Sequence, residues 1–185
     1  NRAQSERLLH QLAALTADPK TRQGLTGIEV KTADGAGTLD RDGTFRPDAE
    51  LVKGPLAEAA WALAFALDAK PLGGYETVEL EGGDKAGGRR AFRLRAEDAD
   101  GGSVLIWLGL FGSDGEFEHQ LLKAAVDTPE KGADRAWTFG DYREVGGVLL
   151  PHRVTEVTGL REKPVAETVI TEWKPLVEDT READP

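Results

Sequence analysis

The stretch DYREVGGVLLPHRVTEV, residues 141–157, decides the fold of this chain. Its pattern predicts two antiparallel strands joined at Gly146-Gly147, because glycine readily adopts the positive φ angles that a two-residue hairpin turn needs. Pro151 lies inside the second strand and cannot donate a ladder hydrogen bond, so we expect it at a bulge or at a sheet edge. His152, next to it, is expected to use a ring nitrogen to satisfy nearby backbone.

Strand-like segments continue on both sides of this hairpin. Alternating apolar and polar residues, separated by glycine and aspartate turns, are typical of half-buried strands. With the hairpin included, the predicted strands cover residues 25–32, 37–45, 75–81, 89–95, 103–111, 116–126, 135–142, 148–157 and 165–173. The glycine-rich segment 82–88 is expected to be a flexible hairpin loop. The sequence therefore predicts an α+β fold built on one strongly curved antiparallel sheet of about eight to ten strands.

Two segments, residues 5–16 and 55–67, have the leucine spacing of helices. The second begins with a proline, which suits the first turn of a helix. It is apolar on nearly every side, and Trp61 and Phe65 widen its apolar surface. Such a helix is either an ordinary core helix or one that lies inside a concave surface. We expect these two main helices to pack on the concave side of the sheet.

The composition describes one domain of an ordinary globular protein. The chain has 185 residues, of which 39% are hydrophobic, so residues 1–177 are assigned to a single domain and the acidic tail 178–185 is expected to be disordered. The net charge of −10 argues against a nucleic-acid partner. No apolar run approaches the roughly 18 residues that a transmembrane segment needs. The chain lacks methionine, so we expect a processed product from which a signal peptide or lipoprotein leader has been removed.

The sequence contains no motif for catalysis, metal binding or cofactor binding. There is no cysteine, and no serine lies in a nucleophile-elbow motif. Segment 82–88 lacks a phosphate-loop pattern and leads into a strand. No two histidines lie closer than 33 positions, although His119 and His152 could meet in space with Asp141 as a third ligand. We therefore expect no catalytic residue, no metal and no cofactor.

Residues 141–153 carry the pattern DYR-x-V-x-GV-x-LPHR, which resembles a signature of bacterial envelope proteins similar to the lipoprotein carriers LolA and LolB. The resemblance extends loosely over residues 5–175, and only residues 139–157 carry specific identity. It implies an incomplete antiparallel β-barrel with helices laid across its open mouth, and a concave face that binds acyl chains. It implies no catalytic residue. The strongly acidic charge and the polar loops 82–88 and 128–134 depart from a dedicated lipoprotein chaperone, so the resemblance leaves the cargo open.

The resemblance and the surplus of apolar side chains together predict a non-enzymatic binding protein of the bacterial envelope, either periplasmic or anchored to the outer membrane. Its partner would be a hydrophobic small molecule or lipid, such as an acyl chain or the lipid of a lipoprotein, sheltered in a half-barrel cavity; envelope proteins are further candidate partners. The candidate ligand-binding residues are Trp61 and Phe65 on the lid side, and Phe92, Ile106, Trp107 and Phe139 for the wall.

Ile106 and Trp107 are adjacent on one strand and point to opposite faces, so only one of them can line a cavity. Three alternatives to a ligand cavity stay open at this point. The aromatic residues could simply fill a core. The domain could be a protein-interaction module of the envelope with a filled core and an exposed apolar patch. It could also be an enzyme with a dispersed site near His119 and His152.

Overall fold

The computed structural model describes residues 25–40, 44–48, 53–67, 75–111, 118–127, 135–146, 148–159 and 161–177. These residues form ten strands and one helix. In chain order the elements are β1 (Leu25–Thr32), β2 (Gly35–Asp40), β3 (Phe45–Pro47), α1 (Pro55–Leu67), β4 (Thr77–Ala86), β5 (Arg89–Glu97), β6 (Ser103–Phe111), β7 (Glu118–Asp127), β8 (Arg135–Val145), β9 (Val148–Thr158) and β10 (Lys163–Val177).

The ten strands form one antiparallel sheet in the order β3-β2-β1-β10-β9-β8-β7-β6-β5-β4. The edge strands β3 and β4 are not paired with each other, so the sheet is open. This confirms the predicted antiparallel sheet and its number of strands. Because β3 and β4 are also neighbours in sequence, the chain between them must pass from one edge of the sheet to the other. Helix α1 lies on this crossing and contacts β3, β7, β9 and β10.

The expectation of two main helices is not supported. Helix α1 is the single helix in the part of the chain that the structure describes. The helix predicted at residues 5–16 and the tail 178–185 lie outside the described residues. A single domain over residues 1–177 stays a prediction.

The long strand β10 pairs with two different neighbours in turn. It pairs with β9 as far as Val169, which lies opposite Arg153, and from Ile170 onward it pairs with β1. Pro151 lies two residues beyond the last residue of β9 that pairs with β10. Pro151 is therefore at a local edge, as the sequence predicts, and its missing N–H costs no ladder bond on that side.

Two aromatic side chains replace ladder bonds where strands separate. The indole N–H of Trp173 donates a 2.7 Å hydrogen bond to the carbonyl of Pro151, in the interior of the protein. The β7–β8 ladder ends at Lys123, and beyond that point the hydroxyl of Tyr142 donates to the carbonyl of Leu121. Desolvation of this hydroxyl raises the pKa of Tyr142 well above its ordinary value. These bonds satisfy carbonyl groups that the separation of the strands would leave unpaired.

The glycine-rich segment 82–88 is mostly strand, so the prediction of a loop there is wrong. Strand β4 continues to Ala86 after a bulge between Leu80 and Gly82. The turn consists of Gly87 and Gly88 alone, whose φ angles of 56° and 75° are those that a two-residue hairpin turn requires. The five preceding residues pair with β5, since a glycine in a strand weakens the pairing without preventing it.

Helix α1 packs on the face of the sheet that carries Leu94 and Ile106. Its residues Leu56, Ala59 and Leu63 are almost fully buried. Small alanine side chains on the same helix let the backbone approach the strands closely. The apolar character of residues 55–63 of α1 is therefore explained by their burial against the sheet.

We expect Trp173→Phe to lower the free energy of unfolding by about 1–3 kcal/mol more than Trp137→Phe, as measured by urea denaturation. Both tryptophans belong to the same core cluster and each is 4% exposed. The indole N–H of Trp173 bonds to Pro151, whereas that of Trp137 has no hydrogen-bond partner among the described residues. Only the first substitution leaves a buried carbonyl unpaired. Equal losses of stability would show that the Trp173 bond does not hold the separated strands.

Candidate functional site

The sheet buries apolar residues on both of its faces. The face under α1 carries the larger cluster, which includes Leu94, Ile106, Phe139 and Trp173. The opposite face carries a smaller cluster whose largest member is Trp107; its members are Ala86, Ala91, Leu105, Trp107, Leu122, Ala125, Ala136 and Val157. Ile106 and Trp107 therefore lie on opposite faces, as their adjacency in β6 predicts.

The structure brings three of the sequence-based candidates together under and beside α1. Ile106 and Phe139 are almost fully buried in the cluster that α1 covers, and Trp61 is partly buried against that cluster. Phe65 lies on α1, but its side chain is outside the described part of the structure. Trp107 is separated from this group by the sheet.

The remaining candidate, Phe92, lines a pocket of about 590 Å³ at the β4–β5 hairpin. This volume lies within the usual range of small-molecule sites. The described residues that line the pocket are Gly83, Asp84, Lys85, Arg90, Ala91 and Phe92. Phe92 pairs with Leu108, which belongs to the cluster under α1, whereas Ala91 belongs to the cluster on the opposite face. The pocket therefore adjoins both faces of the sheet, including the one that α1 covers. Its wall combines an aromatic ring with two basic side chains.

Sequence reasoning missed Lys85 and Arg90. They lie directly opposite each other in the β4–β5 ladder. The signal was present, because a two-residue turn at Gly87-Gly88 places residue 85 opposite residue 90. Reading the whole glycine-rich segment as a loop removed Lys85 from the strand and with it the pairing.

Polar contacts on the opposite face fix the strand that carries the pocket. The indole N–H of Trp107 donates a 2.9 Å hydrogen bond to Asp84, and the guanidinium of Arg93 lies 3.3 Å from the same carboxylate. The hydrogen bond from Trp107, then that from the backbone N–H of Lys85 and the charge of Arg93, lower the pKa of Asp84. The ammonium of Lys123 lies 4.8 Å from the centre of the Trp107 ring.

A second tie joins the tip of the β4–β5 hairpin to the β9–β10 turn. The backbone N–H of Gly87 donates a 3.0 Å hydrogen bond to Glu162, whose other carboxylate oxygen lies 3.1 Å from the ammonium of Lys123. Strand β4 is thus held at Asp84 by Trp107, and the turn that follows it is held at Gly87 by Glu162. The backbone of the pocket wall is therefore fixed by contacts within the protein.

The histidine-based alternative gains little from the geometry. His152 is 5% exposed and its Nδ1 lies 3.0 Å from the carbonyl of Leu150, in agreement with the structural role expected for it. Asp141 pairs with Arg143 at 2.6 Å, and this hydrogen bond lowers the pKa of Asp141. The side chain of His119 lies outside the described part of the structure. Among the residues that are described, no three potential metal ligands come together.

Three solved structures are similar to this chain at low sequence identity. A domain attributed to an outer membrane lipoprotein-sorting protein of Vibrio parahaemolyticus matches with a TM-score of 0.51 and 11% identity, over 100% of this chain and 96% of that one. A LolA superfamily protein from Nitrosomonas europaea gives a TM-score of 0.49 and 12% identity, over 95% and 94% of the two chains. A DUF1329 family protein from Desulfovibrio piger gives 0.48 and 12%, over 96% and 95%.

The first of these structures confirms, at the level of the fold, the resemblance to proteins similar to LolA and LolB. The sequence matches no protein-family model and no curated protein. Within the described residues, no helix has both the length and the hydropathy of a membrane span.

We expect part of the stability of the protein to be lost as the pH falls below about 4, and Asp84→Asn to lack that part. The folded protein lowers the pKa of Asp84. The stabilisation by its carboxylate is thus complete above the unfolded-state pKa, and it disappears as the pH falls through the lower folded-state pKa. Urea denaturation at several pH values measures this. Asp34→Asn, at an exposed turn, serves as the control and should retain the wild-type pH profile. An unchanged profile in Asp84→Asn would contradict the role given to the Trp107 bond.

Proposed function

We propose that the protein is a non-enzymatic binding protein of the bacterial envelope that shelters a hydrophobic ligand, an acyl chain or the lipid of a lipoprotein. The observation that supports this is the pocket of about 590 Å³ beside Phe92, which adjoins the apolar face under α1. The fold likeness to a lipoprotein-sorting domain is in agreement with it. The envelope location, either periplasmic or anchored to the outer membrane, is part of the same proposal.

The acyl chain would enter beside Phe92 and continue under α1. In this direction it meets the covered face, where Ile106 and Phe139 form the deeper wall. Trp61 and Phe65 on α1 then form the lid side. Trp107 lies on the opposite face and is bonded to Asp84, so the wall residue of β6 is Ile106.

Apolar area supplies the binding free energy in this arrangement. Each square ångström removed from water contributes about 25 cal/mol before the cost of ordering the ligand. Ile106 and Phe139 are already buried under α1, so a long chain reaches them only if α1 shifts away from the sheet. The length of acyl chain that binds best should then depend on how far α1 can move away from the sheet.

The interaction-module alternative is less well supported by the described surface. The large hydrophobic residues that are exposed there are Val126, Val165 and Val169, and Glu167 stands between the last two on the same strand. Scattered apolar residues of this kind are normal on a protein surface.

We expect Phe92→Asp to weaken the binding of an environment-sensitive fluorescent fatty acid by about ten- to a hundredfold, because a charge replaces an apolar wall. Trp61→Asp, on the lid side, should also weaken binding. Val165→Asp places the same charge on an exposed residue of β10 that does not line the pocket, and it should bind as the wild type does. Circular dichroism verifies that each variant is folded. The proposed function is wrong if the wild type shows no saturable binding, or if all four proteins bind equally.

A further inference from the structure

Lys85 and Arg90 form a pair of positive charges at the pocket. They lie opposite each other across the β4–β5 ladder, and both side chains are exposed. Like charges placed directly opposite in a sheet destabilise the pairing. In the described part of the structure neither side chain has an acidic partner, although the protein carries a net charge of −10.

Two other basic residues of the same hairpin, Arg93 and Arg95, have acidic partners within the chain. Arg93 lies 2.6 Å from Glu81 and 3.3 Å from Asp84. Arg95 pairs with Glu81 and with Asp127. Arg93 and Arg95 extend from the face of the sheet that carries Trp107, and Lys85 and Arg90 extend from the other face. Among the described residues, Lys85 and Arg90 have no acidic partner of this kind, and the pair is therefore open to an anionic ligand.

The two cations and Phe92 share one face of the hairpin. Side chains two residues apart along a strand point the same way, so Arg90 lies on the same side as Phe92, and Lys85, opposite Arg90, does too. Asp84 and Ala91 alternate with these residues along the strands and point to the other face. There the carboxylate of Asp84 accepts a hydrogen bond from the indole of Trp107. Phe92 thus forms an apolar wall of the pocket, and Lys85 and Arg90 form a positively charged rim beside it.

We propose that the pocket binds an anionic amphiphile, whose acyl chain lies along Phe92 and whose carboxylate or phosphate group lies between Lys85 and Arg90. This rests on the proposed function and narrows its ligand class. A guanidinium can donate two parallel hydrogen bonds to either head group, and an ammonium adds a mobile point charge. Binding the anion also removes the repulsion between the two cations.

The test is calorimetric titration of the full chain with four ligands that share a twelve-carbon chain: dodecanoate, dodecyl phosphate, dodecanol and dodecyltrimethylammonium. We expect both anions to bind about tenfold or more tightly than dodecanol, and the cation to bind most weakly. The preference for anions should shrink as the salt concentration rises, whereas dodecanol binding should hardly change. Comparing the two anions shows whether a fatty acid or a phosphate-bearing lipid is the better ligand.

The double variant Lys85→Gln/Arg90→Gln should lose the anion preference and keep its affinity for dodecanol. Lys53→Gln/Lys174→Gln removes the same two charges from exposed residues that do not line the pocket, and it should keep the preference. Thermal denaturation adds a second readout. Because repulsion is removed, the Lys85/Arg90 variant should be at least as stable as the wild type, whereas a purely structural role for these residues would lower its melting temperature.

Three results would overturn the inference. If dodecanol binds as tightly as the anions, the rim does not select charge, and the proposed function still stands. If inorganic phosphate displaces dodecanoate at concentrations similar to those of dodecyl phosphate, the rim is a site for free anions. If both double variants lose the anion preference equally, net charge rather than the pair is responsible. Absence of binding by all four ligands would refute the proposed function together with the inference.

Discussion

The division of β10 between two neighbours is the constraint on which the rest of the structure depends. The strand leaves β9 at Val169 and joins β1 at Ile170, so the sheet separates locally around residue 151 of β9. Carbonyl groups exposed by such a separation cost free energy unless they find donors. Trp173 supplies one for Pro151, and Tyr142 does the same where β8 leaves β7. The division of β10 thus explains the positions of Pro151 and Trp173, and the end of the β7–β8 ladder explains that of Tyr142.

The two faces of the sheet carry different kinds of contact. Arg93, Trp107 and Lys123 lie side by side on neighbouring strands. Arg93 and Trp107 both contact Asp84, and these polar contacts anchor β4. The adjacent row, with Leu94 beside Ile106, points to α1 and belongs to the main core. The pocket lies where the anchored strand meets the apolar face. Its wall is therefore fixed by contacts on the opposite face, so a bound ligand would not have to supply the full free energy of ordering it.

Local patterns predicted most of the fold, because they reflect residue alternation and turn chemistry. The bounds of α1 and of β6 follow from apolar spacing and from the turns that flank them, and the edge position of Pro151 follows from its missing N–H. The extent of β4 did not follow, since a run of glycines favours a loop by propensity and only the pairing with β5 makes it a strand. The polar network was equally hidden. The sequence around Trp107 does not predict its hydrogen bond to Asp84, which lies 23 positions away.

The candidate site was predictable only in part for the same reason. Ile106 and Phe139 were identifiable as apolar wall residues, but their depth beneath α1 depends on how the helix is seated. The pairing of Lys85 with Arg90 and of Gly83 with Phe92 is set by the two-residue turn at Gly87-Gly88, and the bulge after Leu80 changes the register only beyond these pairs. A run of glycines does not show by itself which two of them form the turn. The positions of Lys85 and Arg90 at the pocket therefore followed only once this segment was known to be strand.

Photoaffinity labelling tests the central claim most directly. An acyl chain that carries a diazirine near its end would be bound to the full chain, irradiated, and its adducts located by mass spectrometry of peptides. The account predicts adducts on the β4–β5 hairpin around Phe92 and on α1, and competition by unlabelled ligand. Adducts confined to the exposed valines of β10, or labelling that an excess of unlabelled ligand does not reduce, would contradict it.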